Sequence, residues 1–379
     1  MSKVAIDLVP IRPGKGGTGS GIWTYARELI VHLDQVTSDS DPSILVLVSA
    51  EQRQLLPPLR NLKLHTFPSF GRRVWSRLFW VHVVLPIWCG WRRIDVLHKL
   101  ATETPWFCPA KRITTIHDFY HEFQAAQTGQ GLGGTGIYFA LMTRRALLAS
   151  RCIVTVSHVI AQEVRARIPD ASGTTVQAVH HGCVPSQAVV AKPKVSATTW
   201  TIGVVAKLMP YKGQLEALAA FEELNDDAAR LVIHGFSNDT AFVRLLDARI
   251  AESPLKSHIQ RRDYIRDLSL DALYGDLDVL LFLSQYEGFG LPVIEAQSRG
   301  IPVVCSDIPV LREVAGAGAC FVERDNPQLI AAELRRIRAD ADFRAALIQK
   351  GLENVRRYDW QTSARRVCTL YTDISQQPS

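Results

Sequence analysis

Short apolar runs recur along this chain, each bounded by turn formers. Val4–Val9, Ile44–Val48, Leu62–Phe67, Asp95–His98, Lys111–Asp118 and Cys152–Ser157 make one series, and Thr201–Val205, Leu231–Gly235 and Val279–Leu283 make a second. Runs of this length are too short for ordinary helices and suit parallel strands buried on both faces. Between them the spacing turns helical: Ile22, Tyr25, Ala26, Leu29, Ile30 and Leu33 fall on one face, and Ile137–Ala149, Gln328–Arg338, Ala341–Asn354 and Ala364–Ile374 repeat the pattern. Strands alternating with helices predict an α/β chain of two Rossmann-like, doubly wound domains. Ser186–Thr199 has no periodic face and contains proline, which suits a linker. The expected organisation is an N-terminal domain over 1–185, a linker over 186–199, a C-terminal domain over 200–358 and a final helical segment over 359–379.

The most informative stretch is Ser284–Val304, SQYEGFGLPVIEAQSRGIPVV. It follows the apolar run Val279–Leu283. The loop Glu287-Gly288-Phe289-Gly290-Leu291 comes next, and Pro292 opens a helix in the turn where a missing N–H does no harm. Gly300 stops that helix, Pro302 confirms the stop, and Val303-Val304 begins another strand. The loop glycines let backbone N–H groups approach a ligand, and the start of a helix favours an anion. Glu287 lies in the loop. Glu295 lies one turn into the helix, eight positions on, among apolar Val293, Ile294 and Ala296. A loop carboxylate and a helix carboxylate so placed can flank one elongated ligand.

Other candidates sit at comparable turns. Ala206–Gly213, AKLMPYKG, places Lys207 and Lys212 around a strand-to-helix turn, where two ammonium groups could neutralise a diphosphate. Gly14, Gly16, Gly17, Gly19 and Gly21 lie between the first strand and the first helix, a weak sign of close approach to a phosphate or sugar. His117 stands at the carboxyl end of its strand, where ligands of open α/β sheets gather. The D-x-D strings Asp39–Asp41, Asp276–Asp278 and Asp340–Asp342 lie in a polar loop, at a helix-to-strand turn and at a helix end. Turn or cap chemistry accounts for each better than a metal does.

The segment EGFGLPVIEA resembles, almost letter for letter, the Glu-x7-Glu signature of retaining glycosyltransferases of family 4, which have the GT-B fold. Lys207–Gly213 resembles that family's G-R-x-x-x-x-K-G, with Ala206 in place of the glycine and Lys207 in place of the arginine. GIWTYARELI and TIHD are similar to the family's patterns after the first loop and at the sugar-contacting histidine. The HGCV turn at His181 departs from the usual Asn-Gly-Val-Asp, and no function is assigned to it. The resemblance implies that Glu287 and His117 hold the donor sugar and that Glu295 binds the ribose hydroxyls. It implies that the loop with Gly17 and Gly19 covers a cleft between the domains, and that the final helix returns to the first domain. The expected catalytic set is then Glu287, His117, Lys212 and Lys207. Donor binding is shared by Gly17, Gly19, Lys207, Lys212, Glu287, Gly288, Phe289, Gly290, Leu291 and Glu295, with no metal and no cofactor. The implied reaction moves a sugar, with mannose from GDP-mannose favoured and UDP-sugars open, onto a glycan or lipid-linked acceptor in surface polysaccharide biosynthesis.

Composition adds limits. The chain has 379 residues, 47% of them hydrophobic and 21% charged, enough to bury two cores. A net charge of +6 suits anionic ligands or an anionic membrane, and no aromatic-basic RNA motif or zinc spacing argues for nucleic acid. Seven cysteines without a CxxC, and a start lacking a long apolar core, suit a reducing cytoplasm. Gly71–Arg93 combines Arg72, Arg73, Arg77, Arg92 and Arg93 with Trp75, Phe79, Trp80, Trp88 and Trp91 and contains no acid. That mixture suits peripheral contact with the inner face of a membrane. Val81, Val83, Val84 and Leu85 leave little polar face, so a core helix ending near Pro86 with arginines at its rim is preferred. Gln124–Gly136 reads as a polar, glycine-rich mobile loop. Two rivals are a catalytically silent sugar-nucleotide-binding protein and a nicotinamide-dependent oxidoreductase. The second lacks an acid at the end of its second strand, where Val46-Leu47-Val48-Ser49 stands.

Overall fold

The computed structural model of the chain describes residues 2–13, 21–68, 74–129, 134–169, 173–184, 199–237, 239–263 and 269–378. The glycines at 14–19 and nearly all of the expected linker, through residue 198, lie outside the described residues. Two compact units emerge. The first runs to Gly182 and includes Asp359–Ser379; the second is Cys183–Tyr358.

The first unit holds seven parallel strands: β1 (Lys3–Asp7), β2 (Ser43–Ser49), β3 (Lys63–Phe67), β4 (Val96–Lys99), β5 (Lys111–Ile116), β6 (Cys152–Thr155) and β7 (Thr175–Ala178). Their order is β3-β2-β1-β4-β5-β6-β7, so the chain winds outward from β1 and then reverses at β4. The helix Gly21–Val36 buries Tyr25, Ala26, Leu29, Ile30 and Leu33 on one side of this sheet. The helix Trp360–Gln376 packs beside it through Trp360, Ala364, Val367 and Tyr371. A Cβ at Gly182 would lie 2.2 Å from the Trp360 ring, so only glycine fits there.

The centre of this unit is polar. Register pairs Asp7 of β1 with Lys99 of β4, and the two buried side chains form an ion pair. Trp80 Nε1 donates to both Asp7 carboxylate oxygens at 3.2 Å, and Val9 N donates to Oδ1 at 3.1 Å. A buried pair survives when such extra bonds offset the loss of water. Nearby, buried His98 links Tyr371 Oη (2.7 Å) of the last helix to Thr115 Oγ1 (2.9 Å) of β5.

Two sequence expectations need correcting. The helix expected to stop near Pro86 runs on to Arg92, in three joined segments: Val74–Phe79, a π-helical turn Trp80–Val84, and Leu85–Arg92. The wide turn bonds Leu85 N–H to Trp80 O, and it delivers Pro86 to the first turn of the next segment, where its missing N–H is harmless. Gln124–Gly136 is also not one loop. Tyr120–Thr128 is helical, Gly129 ends it at φ 61°, and a new helix spans Gly134–Ala149. The Gln-Ala-Ala-Gln stretch has good helix propensity, which the neighbouring glycines masked.

The second unit is a six-stranded parallel sheet: β8 (Trp200–Val205), β9 (Ala229–His234), β10 (Ile259–Arg262), β11 (Val279–Phe282), β12 (Val303–Ser306) and β13 (Ala319–Val322). The order β10-β9-β8-β11-β12-β13 repeats the same winding, with the reversal between β8 and β11. Helices Gln214–Leu224 and Pro327–Ala339 cover one face, and Leu291–Gln297 and Pro309–Ala315 cover the other. One aspartate of each D-x-D string caps or braces: Asp41 accepts from Ser38 N, Asp278 from Thr201 N and Asp340 from Phe343 N. Among the described residues, no helix is long and apolar enough to cross a membrane.

Burial lowers the pKa of His98 to about 3, and the nearby His117 adds to the effect. The unfolded chain titrates near 6.5, so between these values it takes up a proton that the folded chain refuses. Stability is therefore full above pH 6.5 and is lost as pH falls. From pH 6.5 to 5 the expected loss from this group is about 2 kcal/mol. Hydrogen exchange of the β4 and β5 amides should show it, and His98→Asn should flatten the dependence. An acid profile unchanged by His98→Asn would contradict the assignment.

Candidate active site

In an open α/β sheet, ligands collect beyond the carboxyl ends of the strands where the winding reverses. In the second unit that place lies between β8 and β11. The loop after β8 carries Lys207 and Lys212, and the loop after β11 carries Glu287. Backbone chemistry ties the loops together: Gln285 N donates to Tyr211 O at 2.8 Å. Pro210–Lys212 forms a single tight turn, and Gly213 follows at φ 79°. A Cβ on Gly213 would lie 2.3 Å from Leu283 O, so another residue would force the loops apart.

The result is a direct contact between two residues 75 positions apart. Lys212 Nζ donates to Glu287 Oε1 at 2.6 Å. Both side chains are mostly buried, with 14% and 11% of their surface exposed. The Lys212 ammonium also lies 4.9 Å from the centre of the Tyr211 ring. Lys207 is more exposed, yet desolvation by the surrounding protein, followed by repulsion from Lys212, lowers its pKa, and Asp239 opposes the shift. A bound diphosphate would relieve that repulsion.

Gln214 was not anticipated. It is fully buried at the start of its helix, and its Nε2 donates to Lys207 O at 2.9 Å, fixing the end of β8 to the helix. Its only sequence sign is a polar residue directly after Gly213. Ser284, directly after Leu283 in the second loop, is fully buried, and its Oγ has no hydrogen-bond partner among the described residues.

Gly290 has φ 100°, and a Cβ there would come 2.8 Å from Leu311 Cδ2. It precedes the helix Leu291–Gln297, whose first turn has no side-chain cap. The Phe289 ring turns inward, edge-on to Tyr358 at 5.6 Å, which leaves only its backbone for a ligand. Glu295 sits on that helix. Tyr274 Oη donates to Glu295 Oε2 at 2.7 Å. Burial raises the Glu295 pKa, while the Tyr274 bond and Arg299 oppose the rise. Arg299 is anchored by Asp271 (2.9 Å) and donates to Glu295 O (2.9 Å). Arg299 lies four residues after Glu295 on one helical face, which the sequence could have signalled; Tyr274 left no signal.

His117 belongs to the first unit, just past the end of β5. Its Nε2 donates to Leu100 O at 3.0 Å, and it stands edge-on to Tyr25 at 5.0 Å. Burial lowers its pKa, so the neutral ring keeps a lone pair on Nδ1. Asp118 accepts from Tyr120 N at 3.0 Å and so orients the backbone there. His181 packs edge-on to Tyr25 and Trp360, a ring contact that fills the place where the family pattern has an asparagine. Gly17 and Gly19 lie outside the described residues.

Residues 187–354 match the Glycosyl transferases group 1 family. The chain is 23% identical to the O-antigen chain mannosyltransferase RfbU of Salmonella typhimurium, over 93% of this chain and 96% of that one. It is 32% identical to the O-antigen chain mannosyltransferase B of Escherichia coli over 108 residues, which span 28% of each chain. Sucrose-phosphate synthase from Thermosynechococcus elongatus has a similar structure, with TM-score 0.78, 17% identity and coverage of 99% of both chains. So does Anabaena Alr3699/HepE in complex with UDP and glucose, with TM-score 0.73, 14% identity and coverage of 98% of this chain and 100% of that one. The fold is the two-domain GT-B fold, and these likenesses support a group 1 glycosyltransferase.

Because burial raises the Glu295 pKa, the unfolded chain gives up this proton first as pH rises. Stability falls from about pH 4.5 upward, through the folded value. Glu295→Gln removes the term. Its melting temperature relative to wild type should therefore climb from pH 4 to pH 7. A difference that stays level or shrinks would contradict the assignment.

Proposed function

We propose that this chain transfers a hexose, mannose favoured, from a nucleoside diphosphate sugar to a hydroxyl of a glycan or lipid-linked acceptor in surface polysaccharide biosynthesis. Transfer retains configuration at the anomeric carbon and needs no metal. The observation that carries the reading is the pair of ammonium groups, Lys207 and Lys212, held with Glu287 at the reversal between β8 and β11. Similarity to O-antigen mannosyltransferases favours mannose, and hence GDP-mannose. The neighbour solved with UDP and glucose keeps UDP-sugars in the panel to be tested.

In this reading the bond from the anomeric carbon to the diphosphate oxygen breaks as the bond to the acceptor oxygen forms on the same face. The acceptor proton passes to the departing diphosphate oxygen. Positive charge grows on the sugar ring and negative charge on the leaving group. Lys207, Lys212 and the backbone N–H groups of Gly288–Leu291 stabilise that leaving group, which is the task a metal performs elsewhere. Lys212 has three N–H donors and gives one to Glu287, so two remain for phosphate oxygens. Glu287 holds sugar hydroxyls. Glu295 accepts from the ribose hydroxyls while Tyr274 and Arg299 fix its position.

The test is a panel of GDP- and UDP-sugars scored for thermal stabilisation and turnover, with EDTA present and absent. GDP-mannose should stabilise the chain most, and EDTA should leave turnover unchanged. Lys212→Ala should lower turnover by about 100-fold or more, because leaving-group charge peaks in the transition state. Glu295→Ala should mainly weaken donor binding. Unchanged turnover in Lys212→Ala would remove the proposed role, and activity lost in EDTA but restored by Mn²⁺ would overturn metal independence.

A further inference from the structure

We propose that the exposed apolar face of the helical run Val74–Arg92, together with the neighbouring Trp106–Phe107 turn, docks this chain on an anionic lipid bilayer. The run is apolar on two sides. One side buries Trp80, Val81, Leu85, Trp88 and Cys89 against Ala5, Leu45, Leu47 and Leu97 of the sheet. The other side carries Trp75, Phe79, Val83, Ile87 and Trp91, each four residues from the last and so in one line along the helix. These five are exposed, Trp75 at 81%, Ile87 at 67% and Trp91 at 73%. Trp106 and Phe107, the latter 85% exposed, continue the surface, sharing a shallow depression with Pro86, Ile87 and Arg145. Water-facing tryptophans in a contiguous patch are unusual on a monomer and mark an interaction surface.

Charge identifies the occupant. Residues 74–94, 104–117 and 134–151 contain arginines and a lysine but no acid. The Arg92 guanidinium lies 5.6 Å from the centre of the Trp91 ring, and that of Arg145 lies 5.8 Å from Trp106. Of the acids nearest in sequence, Glu103 is buried and paired with Arg77, Asp95 accepts from Lys3 N at 2.7 Å, and the exposed Asp118 accepts from Tyr120 N at 3.0 Å. An aromatic line with the Arg92 and Arg145 guanidinium groups against its rings fits lipid phosphates above and acyl chains below, with the helix lying in the interface plane. A second copy fits less well, because a two-fold contact would bring arginines against arginines with no acid between them. This inference rests on the first unit alone and does not depend on the donor chemistry proposed for the second.

Flotation of the full chain with phosphatidylcholine vesicles, with and without phosphatidylglycerol, tests it. Wild type should float with the anionic vesicles and far less with the neutral ones. The pair Trp91→Ser and Phe107→Ser should lower partitioning about tenfold or more, through lost apolar burial. The pair Arg92→Glu and Arg93→Glu, at exposed positions, should lower it at least as much and erase the preference for anionic lipid. Every variant should keep wild-type thermal stabilisation by the nucleotide sugar that stabilises wild type best, which separates this outcome from failure of the donor site. Wild type that floats with neither vesicle, or variants that float as wild type does, would overturn the proposal. So would a dimer, seen by light scattering and dissolved by Trp91→Ser, in a chain that binds no vesicles.

Discussion

The structure of the second unit turns on one ion pair, Lys212 with Glu287, made across the place where its sheet reverses direction. The pair exists because Gly213 lets the β8 loop press against Leu283 and because Gln285 N bonds to Tyr211 O. Each partner is mostly buried, so neither is stable without an opposite charge, and losing one would strand the other at about 3 kcal/mol or more. A site built this way is already assembled before a ligand arrives. In the proposed reading its cation takes phosphate and its anion takes sugar hydroxyls, and Gln214 holds the second lysine's backbone in place.

The first unit repeats the geometry with a different outcome. Its sheet reverses between β1 and β4, and there too an acid and a lysine meet, Asp7 with Lys99. That pair is sealed. Its side chains are 0% and 2% exposed, and Trp80 closes over the carboxylate. The Lys212–Glu287 pair keeps 14% and 11% of its surface open. The same topological position thus serves packing in one unit and remains open to a ligand in the other. In the first unit the Trp80 indole N–H bonds the carboxylate itself, whereas the Tyr211 ring lies against the ammonium and leaves the Lys212–Glu287 pair partly open.

Much of this was legible in the sequence, because the signals were local. Buried parallel strands appear as short apolar runs, and Gly290, Pro292 and Gly300 mark a loop and a helix whose backbone needs those residues. Lys207, Lys212 and Glu287 stood out as charges at turns, and Glu295 as a carboxylate among apolar neighbours on a helix. What could not be read was pairing across the fold. Asp7–Lys99, Tyr274 with Glu295 and the His98 bridge join residues far apart in the chain, and no spacing rule connects them. The helical run through Pro86 was misread for a related reason. A π-helical turn shifts the hydrogen-bond register by one residue, and so gives a proline a place that the sequence alone would deny it.

The central claim is that the ends of β8 and β11 hold a nucleotide's diphosphate without help from a metal. A crystal structure with a bound nucleoside diphosphate tests this most directly. The account predicts phosphate oxygens within hydrogen-bonding distance of the Lys207 and Lys212 ammonium groups, with the ribose toward Glu295. Phosphate density elsewhere, or Lys212 still turned wholly toward Glu287 and making no contact with it, would contradict the account.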